Sequence, residues 1–198
     1  RHLLTSLSLR SCHTLTDGGL SVLGPLPHLL KCDLTDCSSL TGPGLHALSA
    51  SSLLSDLDLT GCTLLTNLGL LAFSHLNLSR LSLRKCRSVT NLGLLSGQAG
   101  LRAADVSASG IQGGYEAVLG WTGLADFSFG WISRAGSMLE VVARGGAAAT
   151  IGRIDMQRND LGDGLEGGRS PADVIVGGGF GRLREVNVSG WRGVGGGA

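Results

Sequence analysis

Aromatic residues are scarce in this chain: Trp, Tyr and Phe make up 4% of its 198 residues. The side chains that most often anchor a strong protein interface are therefore few. Trp121, Trp131, Trp191 and Tyr115 all fall in the second half. Core packing is the expected role for an aromatic there, with Trp131, beside an apolar strand end, placed to be partly exposed. An excess of one charge is also missing. The formal net charge is +1, which argues against a general electrostatic grip on nucleic acid or on an anionic membrane surface. Long apolar runs are absent too: Ser, Asp, Arg or Gly interrupts every leucine-rich stretch well short of the roughly 20 residues of a membrane span. Neither nucleic acid nor a membrane is an expected partner. No basic, apolar and small-residue signal pattern opens the chain. It starts at Arg1 inside a repeat, and is expected to be a piece of a longer product.

Catalytic and ligand-binding constellations are missing as well. The five histidines, His2, His13, His28, His46 and His75, are scattered, without the partners that acid–base work requires. The five cysteines all lie between Cys12 and Cys86, without the close pairs of a zinc site or of a secreted disulfide framework. Free thiols in the cytoplasm or nucleus are the expectation. One stretch, Val174 to Leu183, resembles the opening of a dinucleotide-binding strand and phosphate loop. Its third glycine position is Arg182, which would obstruct close packing of the next helix. The residues after it, Leu183 to Val188, read as a strand rather than a helix. No metal, no cofactor and no enzymatic activity are expected.

What is present is a repeat. Four cysteines, Cys12, Cys37, Cys62 and Cys86, succeed one another at 25, 25 and 24 residues. Each closes the same phrase: Leu4-Leu7-Leu9-Cys12, Leu29-Cys32-Leu34-Cys37, Leu54-Leu57-Leu59-Cys62, Leu78-Leu81-Leu83-Cys86. Its middle apolar positions alternate with polar neighbours, as in a short strand with one buried face. A second phrase comes after each Cys, such as Leu15-Thr16-Asp17 with Leu20 and Leu65-Thr66-Asn67 with Leu70. Asp17, Asn67 and Asn91 are expected helix N-caps, and Leu20/Leu23, Leu45/Leu48 and Leu70/Phe73 have helical spacing. Each turn is thus a strand, a bend, a short helix and a return loop, unable to bury its faces until a neighbour stacks on it. The thiols should form a ladder inside the bends, packing as small apolar groups, while Cys32 takes a strand core position.

With substitutions the register continues through Ser109, Ile132, Asn159 and Trp191 as Cys equivalents, at spacings of 23, 23, 27 and 32 residues. Ser170 and Pro171 look like the cap and first residue of a late helix that Gly177 to Gly179 would end. The fold class implied by this pattern is α/β, a leucine-rich-repeat solenoid. It is a curved arc with a parallel sheet on the concave face and short helices on the convex face. Eight turns at about 4.8 Å make an arc roughly 35 Å long. One domain over residues 1–198 is expected, with regular cysteine-containing repeats over 1–99 and degenerate Gly-rich repeats over 100–198. The first part holds 30 Leu and 9 Gly, the second 7 Leu and 24 Gly, so the second should be looser. No polar capping repeat is evident, which predicts marginal solubility of the isolated chain.

The residues between the buried strand positions point onto the concave sheet. A first outward column runs Ser6, Lys31, Asp56, Arg80, Ala103, Asp126, Arg153, Glu185. The central one runs Ser8, Asp33, Asp58, Ser82, Asp105, Ser128, Asp155, Asn187. A third runs Arg10, Thr35, Thr60, Arg84, Ser107, Gly130, Gln157, Ser189. The candidate partner-binding residues are Lys31, Asp33, Asp56, Asp58, Arg80, Arg84, Asp105 and Asp155. In one reading, Asp33, Asp56 and Asp58 face a basic stretch of a partner and Arg80 and Arg84 grip an acidic or phosphorylated one. In the other, the central aspartates only keep the sheet soluble.

The Cys phrase with its Leu-Thr-Asp/Asn sequel resembles the cysteine-containing leucine-rich repeats of F-box proteins, closely over 1–99 and partially beyond. That resemblance implies a substrate-recognition surface for an SCF-type ubiquitin ligase, holding a protein substrate or peptide segment on the concave face. No F-box is visible, so an adaptor subunit would be held by sequence upstream. The stretch Ile154 to Gly164 is more similar to repeats of ribonuclease-inhibitor and innate-sensing receptor proteins, which implies a scaffold or sensor instead.

Overall fold

Two alternating leucines per strand can leave water only if a second strand lies beside the first with its leucines in the same register. In a computed structural model describing residues 3–159 and 169–190, that is how the turns stack. Strands β1 (Ser6–Ser8), β2 (Lys31–Asp33), β3 (Asp56–Asp58), β4 (Arg80–Ser82), β5 (Ala103–Asp105), β6 (Asp126–Ser128), β7 (Arg153–Asp155) and β8 (Glu185–Asn187) form one sheet in chain order. Every pairing is parallel, and the inward residues Leu7, Cys32, Leu57, Leu81, Ala104, Phe127, Ile154 and Val186 lie side by side. The α/β solenoid and its strand register are as expected.

Each strand ends in one bend repeated along the arc. The residue just before each Cys equivalent has a positive φ: 57° at Ser11, 58° at Asp36, 75° at Gly61, 61° at Lys85, 56° at Ala108, 58° at Trp131, 56° at Arg158 and 73° at Gly190. Its N–H still donates to the next turn, as from Ser11 to the Thr35 oxygen at 2.7 Å and from Asp36 to the Thr60 oxygen at 2.7 Å. The ladder therefore runs on past the strand while the chain turns inward. The thiols then sit under the bend. Cys37, Cys62 and Cys86 are fully buried, and each donates to a carbonyl of the preceding turn: Leu9 at 3.0 Å, Leu34 at 3.3 Å and Leu59 at 3.1 Å. The expected ladder is present, but its rungs are hydrogen bonds as well as packing. Asn159 takes the same place in the seventh turn and donates to the Phe129 oxygen at 3.3 Å while accepting from the Ile132 N–H at 3.1 Å.

The convex side carries short helices: α1 (Asp17–Ser21), α2 (Asn67–Leu70), α3 (Ala135–Arg144) and α4 (Pro171–Gly177), with tighter 3-10 turns such as Pro43–Leu48 and Tyr115–Gly120 elsewhere. Ser170 caps α4 in a reciprocal pair with Asp173, with Pro171 at its first position, as its sequence suggests. The other expected caps are corrected. Thr16 and Thr66 occupy the cap positions of α1 and α2. Asp17 reaches into the next turn and accepts from the Thr41 hydroxyl (2.6 Å), and from the N–H groups of Thr41, Gly42 and Gly44. Asn67 does the same with the N–H groups of Thr90 (2.9 Å) and Asn91 (3.1 Å). Asn91 bonds within its own turn, to the Gly93 N–H at 2.7 Å. Asp17 and Asn67 stand one residue past the cap, and their side chains meet N–H donors of the neighbouring turn, while Thr16 accepts from the Gly19 N–H of its own turn.

The core does not thin at residue 100. Trp121, Phe127 and Phe129 are buried; Trp121 and Phe127 meet edge to face at 5.9 Å, and Phe127 lies 4.9 Å from Phe129. The Trp121 indole N–H donates to the Leu95 oxygen at 2.9 Å, and the Tyr115 hydroxyl to that of Ser133 at 3.0 Å. These large rings and helix α3 supply the volume that leucine supplies in the first half, so the expected loosening is not seen as far as Met156, which is still buried. At the two ends of the described stack, Leu4, Val186 and Val188 lie exposed. Trp191 lies outside the described residues.

Candidate functional site

The parallel register puts the first and central outward columns on one concave surface. The third column, expected to face outward with them, lies past the strand ends, where Thr35 and Ser107 are buried. Lys31 stands beside Asp56 and Asp56 beside Arg80 in the first column, and Asp33 beside Asp58 in the central one. A shallow groove of about 770 Å³ runs over β1 to β6, lined by Lys31, Asp33, Asp56, Asp58, Arg80 and Asp105 among others. Asp155 stands on the same sheet in β7, and Arg84 in the turn just past β4; neither lines this groove.

The central aspartates have a local task. Asp33 accepts from the Thr35 N–H at 3.0 Å and the Thr35 hydroxyl at 2.6 Å. Asp58 accepts from the Thr60 N–H, Asp105 from that of Ser107 and Asp155 from that of Gln157, at 2.9, 2.8 and 3.2 Å. One oxygen of each thus closes an Asx turn that bends the chain out of the strand. The other oxygen is left for the groove. Arg10 takes that of Asp33 at 3.4 Å, and Arg84 that of Asp105 at 3.8 Å. Asp56 is held between Lys31 at 3.9 Å and Arg80 at 3.6 Å. Asp58 and Asp155 have no cation partner among the described residues. The concave charges therefore largely neutralise one another along the sheet. Such exposed pairs are worth about 0–1 kcal/mol each, so an incoming charge can exchange with them at little cost.

No group of three or more His, Cys, Asp or Glu residues able to hold a metal occurs among the described residues. His13 and His75 instead meet backbone oxygens of neighbouring turns, Asp36 at 2.9 Å and Ser49 at 3.0 Å. The glycine-rich stretch after Val174 comes at the end of helix α4 and leads into β8, the reverse of the strand, loop and helix order that cradles a dinucleotide. No helix among the described residues is long and apolar enough to cross a membrane.

Among solved structures, internalin C2 from Listeria monocytogenes is similar to this chain with a TM-score of 0.67 at 19% sequence identity, over 93% of this chain and 80% of that one. The chain is a leucine-rich-repeat solenoid. Its sequence matches no family model and no curated protein.

One exposed part of the solenoid's surface lies outside the three columns. Trp131, in a left-handed bend, is 53% exposed, and the Arg158 guanidinium of the next turn lies over its ring at 5.0 Å. Core packing is the expected role of an aromatic in this half, with Trp131 the one placed to be partly exposed, and it is exposed. The signal that finds it is positional: the place before the Cys equivalent holds Gly61 and Gly190, a hint that its side chain points off the strand.

Proposed function

We propose that the solenoid is a protein–protein interaction module that seats an extended segment of its partner along the concave sheet. The observation that carries this reading is the groove itself: aligned polar side chains on a rigid parallel sheet, presented without further ordering cost. Lys31, Asp33, Asp56, Asp58, Arg80, Arg84, Asp105 and Asp155 are the contact residues. Asp58 and Asp155 meet basic groups, and Arg80 and Arg84 exchange Asp56 and Asp105 for acidic or phosphorylated groups of the segment. A photo-crosslinking side chain at Ala103 or Ser128 should give partner adducts, and one at His46 or Leu68 on the convex side none. Adducts from the convex positions alone would overturn the concave assignment. Arg80→Ala with Arg84→Ala should weaken retention of the partner; unchanged retention removes the arginine grip.

The finer reading is substrate recognition for an SCF-type ubiquitin ligase, in the cytoplasm or nucleus. It rests on the thiol ladder from Cys12 to Cys86 and on the five free cysteines. Its test is whether the product of the full open reading frame copurifies with the ligase adaptor and cullin. Asn159, which replaces the thiol in the seventh turn, favours a second reading as a ribonuclease-inhibitor-like scaffold or sensor. Copurification with a nucleotide-binding module in place of the adaptor would favour that one.

A further inference from the structure

We infer that the rim of the sheet, along Lys85, Ala108, Trp131 and Arg158, docks an extended protein segment in which two acidic side chains flank an apolar one. This docking strip rests on the interaction-module reading and lies outside the groove. Its four residues occupy the same bend position in consecutive turns. Their N–H groups donate in series to Ser107 at 2.9 Å, Gly130 at 2.8 Å, Gln157 at 3.2 Å and Ser189 at 2.8 Å. The strip is therefore as regular as the sheet. At about 4.8 Å per turn its two cations stand roughly 14 Å apart, the reach of about four residues of extended chain.

Three features single this strip out. Lys85 and Arg158 are exposed, and neither has a carboxylate partner among the described residues. The concave arginines Arg10, Arg80, Arg84 and Arg153, in contrast, all have one. Between the two cations lies an open apolar shelf, because Ala108 precedes Trp131 and Trp131 is 53% exposed. The shelf is not core packing that failed: Trp121 is the buried indole, with its N–H satisfied by Leu95. The third feature is backbone cost. A large L side chain at φ 58° is unfavourable, and glycine, which stands at 61 and 190, would relieve it. A Trp and an Arg held side by side in this conformation, one over the other, are hot-spot residues on a pre-ordered support. The unpaired charges at both ends select acidic groups in the occupant.

The test uses the isotope-labelled chain and a synthetic peptide containing Glu-Gly-Leu-Gly-Glu, with a Lys-Gly-Leu-Gly-Lys counterpart. The indole N–H signal of Trp131, assigned with Trp131→Phe, should shift saturably with the Glu peptide and not with the Lys peptide. The Trp121 signal should stay in place. Arg158→Gln and Lys85→Gln should each weaken binding by about threefold or more, whereas Arg102→Gln, an exposed cation on the opposite rim, should leave it unchanged. Equal shifts with both peptides, no shift with either, or full binding by the two Gln variants overturns the inference. Shifts at Trp131 without partner adducts on the concave face would keep the inference and overturn the groove reading.

Discussion

The Cys86 thiol and the Leu59 carbonyl oxygen, 27 residues apart in sequence, stand 3.1 Å apart with the thiol as donor. That oxygen also accepts from the Cys62 N–H, at 3.1 Å, within its own bend. The thiol therefore serves the second lone pair of a buried carbonyl and ties one turn to the one before it. Cys86→Ala should lower stability by about 1–2 kcal/mol, the sum of a weak buried hydrogen bond and a small cavity. Cys12→Ala, at a half-buried thiol, should cost less. Urea unfolding of the two variants checks the order.

The same burial governs thiol chemistry. Desolvation is the largest cause that pushes Cys32 and Cys62 up to about 12, with nearby Asp and Cys groups adding to it. Cys37 and Cys86 move in the same direction for the same first reason. Raised folded values mean that the neutral thiols contribute stability that is full below the unfolded value of about 8.5 and is lost as pH climbs toward the folded values. The urea midpoint should accordingly fall from pH about 8 to pH about 10.5. In the native chain, iodoacetamide should label Cys12 first and the other four thiols only at the rate of unfolding.

Asp17 contributes in the opposite direction of pH. Burial raises its pKa, but the hydrogen bonds from the Thr41 side chain and from the Gly44, Gly42 and Thr41 N–H groups together hold it below the ordinary carboxylate range. A depressed folded value gives stability that is present above the unfolded value of about 3.9 and is lost as pH falls through the folded one. Asp17→Asn, which keeps one acceptor as Asn67 does, should flatten the acid limb of the stability curve. Asp17→Ala should cost about 1–2 kcal/mol near neutral pH. Stability measured by circular dichroism from about pH 7 to about pH 3 separates the two.

Neighbouring glycines in the fifth turn should respond differently to alanine. A methyl on Gly114 would land on Asn91 Oδ1 and within 2.8 Å of the Leu92 nitrogen, at a φ of 73°. Gly114→Ala should destabilise by about 2 kcal/mol or more. A methyl on Gly113 meets nothing within 4 Å, so Gly113→Ala should be neutral or stabilise by up to about 1 kcal/mol. Thermal melts of the pair are the check; equal losses would show that the fifth turn relaxes around Asn91.

The sequence by itself determined the strands, their order and which strand residues point outward from the core, though not the burial of Thr35 and Ser107 past the strand ends. A period of about two dozen residues with leucine at alternating places has one economical burial, in-register stacking, and spacing alone reports it. Lys31 beside Asp56 and Asp33 beside Asp58 result from that register. Only the tertiary structure decided what each polar side chain does there. Asp17 and Asn67 bind the next turn instead of capping their own helices, the central aspartates spend one oxygen on the bend, and Arg80 and Arg84 meet Asp56 and Asp105. Trp131 and Trp121 are the same residue type ten positions apart, yet one is exposed and one buried. Hydrophobic burial is nondirectional and reads out as a pattern in one dimension, whereas hydrogen bonds and exposure depend on distances between turns that exist only once the stack has closed.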